Sequence, residues 1–499
     1  MVINTSSRKD EAWAGDKLSR KDCADFLTSY LTKRFGTAPG KNGEESFVLN
    51  VNSSWGFGKS YFLVNWKRDL ETAGYPVIYY DAWKNDFSDE PLLGFIAELE
   101  SSLKRIFNRS TKAQKHAVSI LGSAKKLLRP SLPLLAAVLT KKLTNMSLDE
   151  FLEELDSADE DDDSASHEGE SGKKPDDTLS KVVEKAAEQA LKEHRTKQKY
   201  ITAFRAELRS LIEHIAKNLK SVQLPIIVMV DELDRCRPTY AIELLENIKH
   251  IFGVPGVCFV VATDSKQLSA SVKAVYGNEF DAERYLQRFF DQEYALPDPD
   301  YFRYAEYLFS KQDLDGSKIL NPFRFGDNKP ANSYLFAKMA KSFGLTLRSQ
   351  NQCFEMFRAI YIMWDNPQPV QLPYLFFMIF LRHSRREIFE QYIAEPQSFS
   401  FNTVFEKRVA LSELFPVMQR TGSSFFDHEE AHVHMDTLVR EYSRLATSDQ
   451  REISKSLDEQ KYGFVRDAAG ALTSGKRFSI SENPLLKYID LVRQAGQLM

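Results

Sequence analysis

Two short stretches of this sequence hold the residue types best suited to chemistry. The first is Trp55-Gly56-Phe57-Gly58-Lys59-Ser60-Tyr61. Glycines placed before a lysine and a hydroxyl suit a polyphosphate, because they let successive backbone N–H groups turn towards phosphate oxygens. Lys59 is placed to reach the β- and γ-phosphates, and the Ser60 hydroxyl to hold Mg²⁺. The full pattern has a glycine five residues before Gly58, and Ser53 stands there. The second stretch is Leu224 to Pro238, LPIIVMVDELDRCRP. An apolar run ending in Asp231-Glu232 offers a carboxylate for the Mg²⁺ shell beside Ser60 and, next to it, one to polarise an attacking water. Kinases of small molecules on such a loop need no water-activating carboxylate, so the acidic pair points to hydrolysis. The plainer alternative is a strand that ends in acidic turn residues.

These groups must be carried by regular elements. Phe47–Val51 has the composition of a buried strand, and a helical period follows the glycines with Phe62, Leu63, Trp66 and Leu70 on one face. Further strands are predicted at Val77–Tyr80, Leu224–Val230 and Val257–Thr263, with helices over Pro238–Phe252 and Asp281–Asp291. Strands alternating with helices predict an α/β domain with a parallel sheet. The rhythm breaks between 108 and 222, where a basic and apolar part, an acidic run and a helix with Ile201, Phe204, Leu208, Leu211, Ile215 and Leu219 at 3/4 spacing follow one another. Asp159–Thr178 has the composition of a disordered linker. From about 300 onward the pattern is mainly helical. The expected organisation is an N-terminal helical segment (1–45) and a first nucleotide-domain part (46–107). A helical insertion (108–222) holding the acidic linker at about 156–178 comes next, then a second nucleotide-domain part (223–298) and a helical C-terminal domain (299–499).

Composition limits the classes. The chain of 499 residues is 43% hydrophobic and 27% charged, with a net charge of −4, so no global charge calls for nucleic acid. Four scattered cysteines suit neither a disulfide framework nor a cysteine-rich zinc site and favour a reducing cytoplasm. The opening residues have no apolar core of a signal peptide. Leu127–Leu139 is broken by Arg129 and prolines, and Leu372–Leu381 is short; a span needs about 20 apolar residues, so both are expected to be core or interface helices.

Asp231-Glu232-Leu233-Asp234-Arg235-Cys236-Arg237-Pro238 resembles the signature of the KAP P-loop NTPases, with Glu232 where that family commonly has a second aspartate. Other segments agree in order: Trp55 to Ser60, Tyr80-Asp81-Ala82-Trp83, Ala262-Thr263-Asp264, Tyr276-Gly277, Arg284 to Phe290 and Leu296-Pro297. The resemblance covers about 15–300 without the insertion. It implies an α/β P-loop NTPase sheet of the additional-strand type with a helical insertion and a helical C-terminal region, and Asp264 at the sensor position. ATP and Mg²⁺ are the implied cofactors. Family members are often bacterial and linked to phage exclusion or to membrane-associated assemblies, sometimes with transmembrane helices where this chain has its acidic insertion. A cytoplasmic ATPase working as a conformational or assembly switch is therefore expected, with an antiviral role, self-association and a partner encoded nearby.

Further basic groups extend the site. Arg284 and Arg288 are four apart and would share a helix face, so either could reach a γ-phosphate in cis or from a neighbouring subunit; the alternative is a solvated basic face. Arg235 is placed to pair locally with Asp234 or Asp231 rather than to touch nucleotide, and Arg348, before an apolar helix, is a candidate second sensor. His428-Glu429-Glu430-Ala431-His432 matches the H-E-x-x-H zinc pattern, which needs a helix to bring its histidines together; in polar surroundings a surface cluster is expected instead. Two rivals to the switch follow: an ATP-gated effector with its own metal-dependent hydrolase in the C-terminal half, and a nucleotide-gated scaffold without turnover.

Overall fold

The computed structural model describes residues 13–35, 46–88, 90–108, 110–127, 175–323, 331–396, 414–421, 428–474 and 477–497. Five strands form one sheet: β1 (Phe47–Asn52), β2 (Val77–Asp81), β3 (Ile226–Asp231), β4 (Val257–Thr263) and β5 (Gln292–Ala295), in the order β2-β3-β4-β1-β5. The sheet is parallel, with Val77 opposite Ile227 and Ile226 opposite Val257. Every residue of β3 and β4 is buried, the signature of a parallel sheet covered on both faces and the reason these strands read as unbroken apolar runs. Strand β4 stands between β1 and β3, which is the additional-strand arrangement.

The chain folds as two units. One comprises 28–51 and 67–294; the other comprises 1–27, 52–66 and 295–499. The first unit holds most of the sheet. Its core joins Tyr80, Phe95, Phe204, Phe252 and Phe259, with the Phe95 and Phe252 rings 4.8 Å apart and the Phe204 and Phe252 rings 5.1 Å apart. Edge-to-face aromatic pairs like these add about 0.5–1.5 kcal/mol each beyond the area they bury. The helical insertion belongs to this unit. Its helix Thr111–Leu127 packs Ala113, Ile120 and Ala124 into the same core as Phe204, Leu208, Leu211 and Ile215 of the helix Pro175–Asn218. Residues 128–174, and with them most of the linker expected over Asp159–Thr178, lie outside the described residues; its last four, Pro175–Thr178, are not linker but the first turn of the long helix, which the periodic segment after them continues.

The second unit is built on aromatic packing among helices. Helix Leu372–Ser384 buries every residue from Leu372 to Leu381, and Phe336 meets Phe376 at 5.2 Å and Phe380 at 5.1 Å. This apolar stretch is therefore a core helix. Among the described residues no helix is long and apolar enough to cross a membrane; of Leu127–Leu139, only Leu127 is described. Among the described residues two short strand pairs break the helical pattern, the parallel Ile319–Leu320 with Val370–Gln371 and the antiparallel Phe415–Arg420 with His428–Val433.

Candidate functional site

In the second unit, the chain leaves β1 at Asn52, turns through residues 53–58, and enters α2 (Lys59–Thr72), the helix after α1 (Arg20–Phe35). Gly56 (φ +77°) and Gly58 (φ +87°) are both left-handed, a conformation that costs a side-chain-bearing residue about 1–2 kcal/mol. Ser53 is not among the positive-φ residues, so a Cβ is tolerated there and the departure from the full glycine pattern costs the turn nothing. Ser53 contributes its carbonyl instead, which accepts from Lys59 Nζ at 2.7 Å. Helix α2 opens at Lys59, so its first backbone N–H groups and its positive end lie beside the loop, as phosphate binding requires.

Residues far away in sequence wall this loop. A Cβ on Gly56 would lie 2.8 Å from Thr346 Oγ1, and one on Gly58 would lie 3.2 Å from Leu18 Cδ1. The Trp13 ring stands edge-on to Tyr61, centroids 6.1 Å apart. Arg20 is fully buried, with Nη2 donating to Phe57 O at 3.0 Å and Nη1 to Pro297 O at 2.7 Å. Thr346 is also the N-cap of the helix Leu347–Met363, accepting from Ser349 N at 3.1 Å, and Arg348 lies exposed in that helix's first turn. Trp55 and Tyr61 are partly exposed at 49% and 37%. Burial, with smaller contributions from Asp16 and Tyr307, pushes the Tyr61 hydroxyl above its ordinary range.

The acidic pair belongs to the first unit. Asp231 closes β3 opposite Asp81 of β2 and is 1% exposed. Its Oδ2 accepts from Tyr79 OH at 2.7 Å and its Oδ1 from Glu232 N at 2.8 Å. Burial first, then the Asp231 charge and hydrogen bond, push the Tyr79 hydroxyl far up, so Tyr79 is a donor at any physiological pH. Glu232 sits at φ +61°, ψ +24°. A non-glycine residue held there stores about 1–3 kcal/mol, and such strain concentrates at functional sites. Arg235 pairs locally, but with Glu232: Nε to Oε2 is 2.5 Å, and its guanidinium lies over the Trp83 ring at 5.4 Å. Asp234 Oδ2 accepts from Asp264 N at 3.1 Å, while Asp264 Oδ1 caps the helix Ser265–Tyr276. Asp264 therefore organises its own turn.

Beside it lies a polar network that the motifs did not announce. Asn50, wholly buried in β1, accepts from Thr263 Oγ1 at 2.8 Å and donates to Ser265 Oγ at 3.0 Å and Glu293 Oε2 at 2.9 Å. It joins β1, the end of β4 and β5. One signal was available: an asparagine in the middle of the apolar run Phe47–Val51. Tyr79, Arg20 and Thr346 carry no such mark, since each acts through a partner remote in sequence.

Besides the partner of Arg235, the placement of Arg288 is corrected. The predicted helix over Asp281–Asp291 ends at Leu286, so Arg288 lies in the following turn and does not share a helix face with Arg284. There Arg288 N donates to Tyr285 O at 3.2 Å, tightening the last turn, Phe289 is buried, and Asp291 N joins Val48 O at 2.9 Å as the chain enters β5. Both arginines are exposed. His428–Val433 is a strand, on which positions four apart are about 13 Å from one another. The helical zinc pattern is therefore not formed. Alternation against Phe415–Arg420 wins because it buries Val433 against Phe415.

The Ser60 hydroxyl in one unit and the Asp231 carboxylate in the other each offer oxygen of the hard type that Mg²⁺ takes. Comparison with known proteins agrees with the loop and the sheet. Residues 36–342 match the model of the KAP family P-loop domain. A segment of 105 residues is 30% identical to the phage T7 exclusion protein of Escherichia coli (strain K12), covering 21% of this chain. The chain spans only 13% of that relative's length. With well over half of its residues matched by the family model and its sheet in the additional-strand order, the chain belongs to the KAP family of P-loop NTPases.

Proposed function

We propose that this protein binds ATP with Mg²⁺ at the loop Trp55–Tyr61 and hydrolyses it, using the cycle to switch conformation or assembly. Lys59 neutralises the β- and γ-phosphate charge, backbone N–H groups of the loop and of the first turn of α2 cradle the phosphates, and Ser60 and Asp231 hold the metal. The metal would offset charge on the phosphoryl oxygens. Glu232 orients the attacking water and accepts its proton. The observation that carries hydrolysis over mere binding is the strained, left-handed backbone of Glu232 directly after the buried Asp231. An acidic turn without a task would have no need of it.

A second reading, a nucleotide-gated scaffold with no turnover, is favoured by the Glu232–Arg235 ion pair, which engages the carboxylate needed by the water. Phosphate release from ATP by the purified chain, with and without EDTA, separates the two. Hydrolysis that stops on chelation supports the switch; nucleotide binding without release supports the scaffold. The similarity to a phage exclusion protein supports including an antiviral role in the proposal, and a cytoplasmic setting and a protein partner encoded nearby are proposed with it. Self-association, with Arg284 or Arg288 acting on a neighbouring copy and Arg348 as a second sensor in cis, is part of the same reading. It is tested by whether activity per chain rises with protein concentration.

A further inference from the structure

A phosphate loop must turn its N–H groups inward, and each peptide that does so turns its carbonyl outward. In water those carbonyls are solvated. Against a packed wall they need donors, because a buried carbonyl without one costs about 1–3 kcal/mol. The Phe57 carbonyl belongs to the peptide that carries the Gly58 N–H, at the centre of the loop. Its donor is Arg20, which lies outside the residues matched to the family model.

Arg20 has the features of a dedicated anchor. It opens the helix Arg20–Phe35 and is fully buried. Its guanidinium fork is split between two backbone carbonyls, Phe57 O at 3.0 Å and Pro297 O at 2.7 Å. The turn leading to it is fixed in turn by Asp16, whose carboxylate oxygens accept from Leu18 N at 3.1 Å and Lys21 N at 2.9 Å. Leu18 then presses on Gly58 and Trp13 on Tyr61. Pro297 follows β5 by two residues and precedes the helix Tyr301–Ser310. One side chain thus ties the loop's central peptide to the root of the helical C-terminal region, all within one unit.

We propose that Arg20 is a positioning residue for polyphosphate binding, locking the Phe57–Gly58 peptide so that the Gly58 N–H faces the phosphates. It also makes the Pro297 segment respond to what the loop holds. A lysine keeps the charge but lacks the planar fork whose two nitrogens serve the two carbonyls separately. The proposal rests on nucleotide binding at this loop.

The test measures binding of ATP, ADP and inorganic pyrophosphate by calorimetry to the full chain, to Arg20→Met and to Arg20→Lys. Arg303→Met serves as control, since it removes a cation of the same unit that bonds Ser19 Oγ. Hydrogen exchange of residues 296–303 is followed with and without ATP. Loss of hydrogen bonds to a charged donor predicts all three ligands weakened together by about tenfold to 100-fold in Arg20→Met. Arg20→Lys should remain clearly weaker than wild type, and the control unchanged. ATP should slow exchange at 296–303 in wild type and not in either Arg20 variant, a readout that a purely structural role would leave intact. Should Arg20→Met not fold, Arg20→Lys decides by itself. Wild-type pyrophosphate affinity in Arg20→Lys, or the same affinity with only a lowered melting temperature in Arg20→Met, overturns the role of Arg20 alone. A wild-type chain that binds none of the ligands overturns the nucleotide reading with it.

Discussion

The phosphate loop and the acidic end of β3 are shaped by opposite means. The loop's conformation needs two left-handed glycines, and its walls come from positions such as Leu18, Arg20, Pro297 and Thr346. The acidic end is organised mostly by its neighbours: Asp231 takes the next residue's N–H, and Glu232 pairs with Arg235 three residues on. The distant donor to Asp231, Tyr79, is delivered by the register of the adjacent strand. The lesson concerns how each region fails. A substitution at the acidic end alters chemistry on an intact frame, whereas one at the loop disturbs a shape that several remote segments hold in common.

The sharpest test of that difference is Glu232→Gln. It should lower the hydrolysis rate by about 10²–10⁴-fold while leaving ATP affinity near wild type. Turnover assayed beside calorimetry shows whether both halves of the expectation are met, and an unchanged rate would move the base elsewhere, with Asp234 the first to examine. Lys59→Ala comes next. Removing a charged donor from the loop should weaken ATP binding by about tenfold to 150-fold, read as the dissociation constant.

Gly56→Ala attacks the loop's shape. Left-handed strain of about 1–3 kcal/mol should add to a contact with Thr346, lowering the free energy of unfolding and ATP affinity together. In a double-mutant cycle with Thr346→Gly, only the contact part should be recovered, leaving a coupling of about 0.5–3 kcal/mol. Full additivity in denaturant titrations would show that Thr346 does not wall the loop.

The smallest effect is expected for Tyr79→Phe, which deletes the Tyr79–Asp231 hydrogen bond at a cost of about 1 kcal/mol. Its pH dependence has a definite sign. The fold raises the Tyr79 pKa above the ordinary 10.0, so the neutral hydroxyl's contribution is complete below that value and is lost as pH rises beyond it. The stability gap between wild type and Tyr79→Phe should thus be flat from about pH 6 to about 9 and shrink above about 10. A gap that changes in the neutral range would point to a different titrating group.

Wherever a motif's function rests on adjacent residues, the sequence alone was enough to read it. Gly56 to Ser60 after an apolar strand, and Asp231-Glu232 after another, determine a phosphate turn and an acidic strand end through backbone preference and side-chain type alone. The α/β alternation and the helical character after 300 were legible for the same reason, since periodicity is a local property, whereas the additional strand was implied by the family resemblance. Tertiary structure decided the rest. Histidines in an H-E-x-x-H pattern became a strand because pairing with Phe415–Arg420 outweighed the local spacing. Arg288 left the helix of Arg284 because the chain had to turn into β5. Ser53 could replace a glycine because its backbone stays out of the left-handed region, and Arg20 became the loop's anchor because folding brought it to Phe57 and Pro297, 37 and 277 residues away. No pattern of neighbours encodes such a contact; it exists only where packing excludes water and leaves a buried carbonyl in need of a donor.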